Sequence, residues 1–183
     1  MKIAVVASEA APFVKTGGLG DVMQALPLAL SKQKNTYVSL FLPYYSQIKY
    51  SEKWPVEFLG AFDVPLAWRR EYVGIFRLKT RRKKLQIYFI DNEHYFNRGG
   101  IYGFADDGER YAFFCKAALE LLPVVGFMPD VLHAHDWQSA LTVVYLKYKY
   151  GLTPGYAEIK TVFTIHNIAY QGVYGFDILG DVF

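Results

Sequence analysis

Lys2-Ile3-Ala4-Val5-Val6-Ala7 opens the chain as a short apolar, β-branched run. It passes through Ser8-Glu9-Ala10-Ala11-Pro12-Phe13-Val14 into Lys15-Thr16-Gly17-Gly18-Leu19-Gly20-Asp21. Such a run reads as a buried parallel strand that ends in a loop rich in Pro and Gly. Asp21–Lys34 then carries apolar residues at 22, 23, 25, 26, 28, 29 and 30, a helical spacing for which Asp21 is the expected cap. Pro27 removes one backbone donor from that helix and predicts a kink or a fresh start there. Tyr37–Leu42 follows as a second strand, stopped by Pro43. Strand, glycine turn, helix and strand in that order set the class as α/β.

Beyond this unit the pattern changes. Val56–Val64, Tyr72–Leu78 and Leu85–Ile90 are strand-like with no helix between them, which predicts an antiparallel excursion. Lys79-Thr80-Arg81-Arg82-Lys83-Lys84 lies between the last two and reads as a solvated hairpin turn or as a patch for an anionic partner. Asp91–Asp107 is loop, rich in Gly and aromatics. Gly108–Leu122 and Trp137–Tyr150 are helical by apolar spacing and flank the strand Asp130–Ala134, and Thr161–Ile165 is the last clear strand. The alternation predicts a doubly wound, mostly parallel sheet with right-handed crossovers over both faces and an inserted antiparallel β segment. Ligands of such sheets bind outside the carboxyl ends of the strands.

Composition narrows the function classes. The 183 residues are 52% hydrophobic and 20% charged, as expected of one globular domain. Twenty Lys and Arg against 17 Asp and Glu leave +3, too small an imbalance to argue for a nucleic-acid partner. Cys115 has no partner for an intrachain disulfide, which favours an intracellular home. Ile3–Ala7 is shorter than the roughly 7–15 residues of a signal core, and no run approaches the ~20 apolar residues of a membrane helix. The expectation is a cytoplasmic protein with no membrane partner.

Three of the four histidines stand at predicted strand ends: His133 and His135 in His133-Ala134-His135-Asp136-Trp137, and His166 in His166-Asn167-Ile168-Ala169-Tyr170-Gln171-Gly172. Their gathering points to a shared site, against the plain alternative of histidines that hydrogen-bond backbone in the core. Gly17, Gly18 and Gly20 allow close backbone approach at a helix amino terminus, and Lys15 adds positive charge; this suits a phosphate or is a plain tight turn. Neither common nucleotide fingerprint is met, because position 23 is Met23 and the lysine precedes the glycines. His133 and His135 also admit a metal-hydrolase reading, which needs more ligands than two. Tyr95-Phe96-Asn97-Arg98-Gly99-Gly100-Ile101-Tyr102 offers rings that stack on sugars or pack in the core.

Lys15–Val22, together with His133–Trp137 and Thr164–Gly172, resembles the glycogen and starch synthase family. The correspondence runs in order from Met1 to about Gly175 and includes Tyr95–Gly103 and Asp107–Arg110. Gly20 stands where that family usually has alanine, a change that loosens the turn. The resemblance implies two Rossmann-like domains facing a cleft, with an α-1,4-glucan mainly on the first and ADP-glucose (or UDP-glucose) mainly on the second. Residues 1–183 then form the amino-terminal, glucan-side domain, cut short, with the carboxyl-terminal domain of the same enzyme as the missing partner. The apolar, uncapped end at Gly175–Phe183 fits that expectation. Carried over by position, Lys15, Gly17 and Gly18 approach the donor phosphates, and His166 and Asn167 contact the transferred glucose. Asp21, Asp136 and Trp137 line the same pocket, with His166 and Asp21 assigned to catalysis and Tyr95 to sugar binding. No Asp-x-Asp motif is present, so neither a metal nor another cofactor is expected. The rival readings are a stand-alone glucan-binding module and the metal hydrolase.

Overall fold

The computed structural model describes residues 1–183. The first unit is β1 (Lys2–Val6), α1 (Gly18–Ser31), β2 (Tyr37–Pro43) and a single-turn α2 (Ser46–Lys49). Next come β3 (Val56–Leu66), β4 (Arg69–Leu78) and β5 (Leu85–Asp91), then α3 (Glu93–Phe96) and α4 (Asp107–Val124). The chain closes with β6 (Val131–His135), α5 (Trp137–Tyr148), β7 (Lys160–Thr164) and a short α6 (Leu179–Val182). All the strands belong to one seven-stranded sheet of order β3-β4-β5-β2-β1-β6-β7.

Parallel pairing runs through β5-β2-β1-β6-β7, while β4 pairs antiparallel with both β3 and β5. The excursion expected from the sequence is therefore real, and only β4 runs against the rest. The basic run at 79–84 is the β4–β5 turn. A right-handed crossover from β1 through α1 to β2 moves one way along the sheet, and that from β6 through α5 to β7 moves the other way. Equal handedness with opposite travel places α1 on one face and α5 on the other. Helix α4 packs beside α5. Coverage on both faces explains why Ala4, Val5, Val6, Leu40, Phe41 and Leu42 are all buried without alternation.

Two sequence expectations about α1 fail. The helix starts at Gly18 with extended Gly17 as its cap, so Asp21 lies in the first turn and does not cap it. There its negative charge still complements the helix dipole. The helix also continues unbroken through Pro27, whose ring is buried; burial of the apolar face outweighs one missing backbone bond. The loop expected from Asp91 begins instead with α3, capped where Asn92 Oδ1 accepts from Tyr95 N at 3.1 Å.

The rest of that loop is held by Arg110, whose side chain is completely buried. Its Nη1 donates to Asp107 Oδ1 at 2.7 Å and to Ile101 O at 3.3 Å, and its Nε donates to Tyr95 O at 3.0 Å. The guanidinium lies 4.9 Å from the Phe104 ring centre and 5.1 Å from that of Tyr111. Asp107 completes the clamp by accepting from Gly103 N at 2.8 Å. No helix is long and apolar enough to cross a membrane. Removing one partner of a buried ion pair strands the other, so Arg110→Ala should cost about 3–5 kcal/mol, read from urea unfolding. An unchanged midpoint would show that the loop holds itself.

Candidate active site

Strands β1 and β6 are neighbours, and the chain leaves them in opposite directions, so the crevice of a doubly wound sheet must open between them. In register, Val6 stands beside Ala134. Both strands therefore end level, and their following loops face each other. A cleft of about 800 Å3 lies there, lined by Glu9, Gly17, Gly18, Asp136, His166 and Asn167 among others.

Glu9 shapes one wall. Only 2% exposed, it accepts from Thr16 N at 2.6 Å and Thr16 Oγ1 at 2.8 Å through one carboxylate oxygen, and from Gly20 N at 3.2 Å through the other. The turn is thereby folded over the carboxylate, and Gly20, at the third position of α1, has its amide satisfied from outside the helix. The Gly18 and Leu19 amides, at the first two positions, have no partner inside the helix and face the region where an anion is favoured.

The other wall joins β6 to β7. Asp136 has φ 58° and ψ 174°, a backbone state that a non-glycine residue holds only when its surroundings enforce it. Here the enforcement is visible: Asp136 N donates to Thr164 O at 2.9 Å, and Asp136 Oδ1 accepts from His166 N at 2.6 Å. His135, fully buried, places Nδ1 2.9 Å from His166 Nε2. His133 places Nε2 2.8 Å from Thr164 Oγ1. The rings of His133 and His135 lie tilted against each other, 3.9 Å between centres. Burial first, then its two histidine neighbours, pushes His135 down to about 3, so it is neutral at pH 7; burial lowers His133 as well.

The residues singled out from sequence separate into two groups. Gly17, Gly18, Asp136, Trp137, His166 and Asn167 line the cleft. Lys15 and Asp21 do not: they pair with each other at 2.7 Å on the exposed surface beside it. Gly20 permits this, because a Cβ there would stand 2.8 Å from Lys15 Cγ, so the absence of a side chain at 20 lets Lys15 lie over α1. Tyr95 is a clear correction. It is completely buried with its ring tilted against Phe113, and its hydroxyl donates to Glu109 at 2.5 Å and accepts from Arg69 at 3.3 Å. From the same loop it is Tyr102 that reaches the cleft, bonded to Ser8 Oγ at 2.6 Å. Trp137 presents an edge to Tyr111 and lies under the backbone of Gly172, where any Cβ would strike the indole at 2.3 Å.

Glu9 was missed as a functional residue, although a lone carboxylate directly after an apolar strand was a visible signal. The metal reading of the histidines loses support, since one ring nitrogen of each is already engaged, His133 Nε2 with Thr164 and His135 Nδ1 with His166, and no group of three or more His, Cys, Asp or Glu side chains is placed to hold an ion.

Comparisons to known proteins bear on the family and the fold. The model of the starch synthase catalytic domain matches residues 2–183. The chain belongs to that family. Glycogen synthases are similar along its whole length: that of Streptococcus mutans is 51% identical and that of Alkaliphilus metalliredigens 46%, with the chain covering 38% of each. The catalytic domain of starch synthase IV from Arabidopsis thaliana, bound to ADP and acarbose, superposes with a TM-score of 0.88. It is 33% identical, and the match covers 98% of this chain and 36% of that one. The chain thus spans less than two-fifths of the family members it matches.

Two outcomes follow from the walls. Glu9→Ala removes a charged acceptor from three donors, so it should destabilise the fold by about 3 kcal/mol and expose the Thr16 and Gly20 amides to fast hydrogen exchange. Exchange unchanged at both would mean that the turn does not depend on Glu9. For His135 the folded value lies below the ordinary 6.5, so the unfolded chain binds the proton first. Its share of stability is complete above about pH 6.5 and is lost as pH falls toward 3. Unfolding midpoints measured across that window should fall less steeply in His135→Asn.

Proposed function

We propose that this chain is the glucan-side part of a glycogen synthase, which transfers glucose from ADP-glucose to the non-reducing end of an α-1,4-glucan with retention, in the cytoplasm. The observation that carries this reading is the cleft at the β1–β6 switch point. It brings a glycine turn with free helix amides within one cavity of a sugar-facing wall of His166, Asn167 and Asp136.

In the transfer, the Gly17–Gly18 turn and the first amides of α1 stabilise negative charge that develops on the departing diphosphate. Lys15 exchanges Asp21 for phosphate, a change that needs only side-chain rotation at an exposed pair. His166 and Asn167 hold the glucose, positioned from β6 by Asp136. ADP rather than UDP is favoured by the ADP in the starch synthase IV structure, and the acarbose there supports a glucan acceptor. The remaining donor contacts come from the carboxyl-terminal domain, consistent with the greater length of the relatives.

Substituting residues 1–183 for the matching segment of the Streptococcus mutans enzyme tests the proposal. The chimera should incorporate labelled glucose from ADP-glucose into glycogen, and Lys15→Ala should lower its kcat roughly 10- to 1000-fold. The 183-residue chain by itself should incorporate none. A folded but inactive chimera, or turnover by the isolated chain, would overturn the assignment.

A further inference from the structure

We propose that His135 is a positioning residue for the transfer assigned above, donating a hydrogen bond from Nδ1 to His166 Nε2. His166 is thereby held as the neutral ring that carries its only proton on Nδ1. The inference rests on the proposed function for its consequence, but the hydrogen bond itself stands on geometry. His135 has no access to solvent, and its two ring nitrogens differ: Nδ1 is 2.9 Å from His166 Nε2, whereas Nε2 is buried with no hydrogen-bond partner.

A neutral imidazole has one N–H and one bare nitrogen, so only two arrangements fit. With the proton on Nε2, His135 would bury an N–H that has nothing to donate to, and orphaned buried N–H groups are the rarest kind. With the proton on Nδ1, the donor is used and only a lone pair goes unpaired. The second arrangement leaves His166 Nε2 as the acceptor. A neutral His166 must then carry its proton on Nδ1, and no protein acceptor takes that N–H. A cationic His135 is opposed by packing, since its charge would lie against the His133 ring at 3.9 Å and the His166 ring at 5.2 Å, and a cationic His166 would need to donate from Nε2, which returns the His135 proton to its unpartnered Nε2.

The consequence concerns the cleft. His166 is pinned twice from consecutive residues of the β6–α5 junction, at its ring by His135 and at its backbone by Asp136. A ring fixed in one tautomer offers a donor, not a base. It therefore suits an oxygen acceptor on the glucose, and it should not remove a proton from the incoming glucan hydroxyl.

Two-bond proton–nitrogen NMR spectra of the histidine-labelled chain at pH 7 test the tautomer directly. We expect protonated Nδ1 and bare Nε2 at both His135 and His166. His135→Asn keeps an N–H where Nδ1 stood and should preserve the His166 pattern, whereas His135→Gln and His135→Phe should release His166 to a tautomer mixture. In the chimera, Gln and Phe should lower kcat roughly 10- to 100-fold with little change in KM for glycogen, and Asn should recover most of it. A proton on Nε2 of His135, or equal behaviour of Asn and Gln, overturns the inference; the Asn–Gln comparison decides even if His135→Phe does not fold. An inactive unsubstituted chimera would instead count against the proposed function and leave the spectra to judge the hydrogen bond.

Discussion

The carboxylate of Glu9, buried at the carboxyl end of β1, is satisfied wholly by the turn that opens α1. A buried charge without such partners would be very costly, so the turn closes over it with little freedom. Satisfying Gly20 from the loop just after β1 fixes where α1 begins and leaves the Gly18 and Leu19 amides without a partner inside the helix. The same carboxylate lines the cleft with Gly17 and Gly18, so the helix terminus there is ordered before anything binds.

The opposite wall follows a different principle. Instead of a buried charge, it packs the imidazoles of His133 and His135, both on β6, against each other, with charge kept at the rim in Asp136. Burial lowers His133 and His135, which favours their neutral forms and lets these two rings pack closely without repulsion. The strained backbone of Asp136 is the cost of this arrangement. The parallel β6–β7 pairing offsets it, because Asp136 N extends the ladder by one bond to Thr164 O.

Between the walls, the long connection from β5 to α4 is anchored by one buried arginine. Arg110 draws Tyr95, Ile101 and Asp107 together, which sends Tyr95 inward and leaves Tyr102 at the cleft. Both tyrosines belong to one aromatic stretch, and nothing in their local sequence distinguishes them. The difference arises from Arg69 and Glu109, on β4 and α4, which give the Tyr95 hydroxyl its partners.

The sequence by itself determined the α/β class, the parallel core with one reversed strand, and the strand ends at which the site lies, because these follow from periodicity and from short-range turn chemistry. It also marked Gly17, Gly18, Asp136, Trp137, His166 and Asn167, whose spacing beside strands leaves them few other places to go. Only the tertiary structure decided which side chains face each other. Lys15 turns to Asp21 because Gly20 leaves room above α1, Tyr95 is buried because distant charges hold its hydroxyl, and His135 meets His166 because β6 and β7 pair in register. Each of these depends on contacts between residues far apart in the chain or on the volume of a single missing Cβ, and neither is written in local pattern.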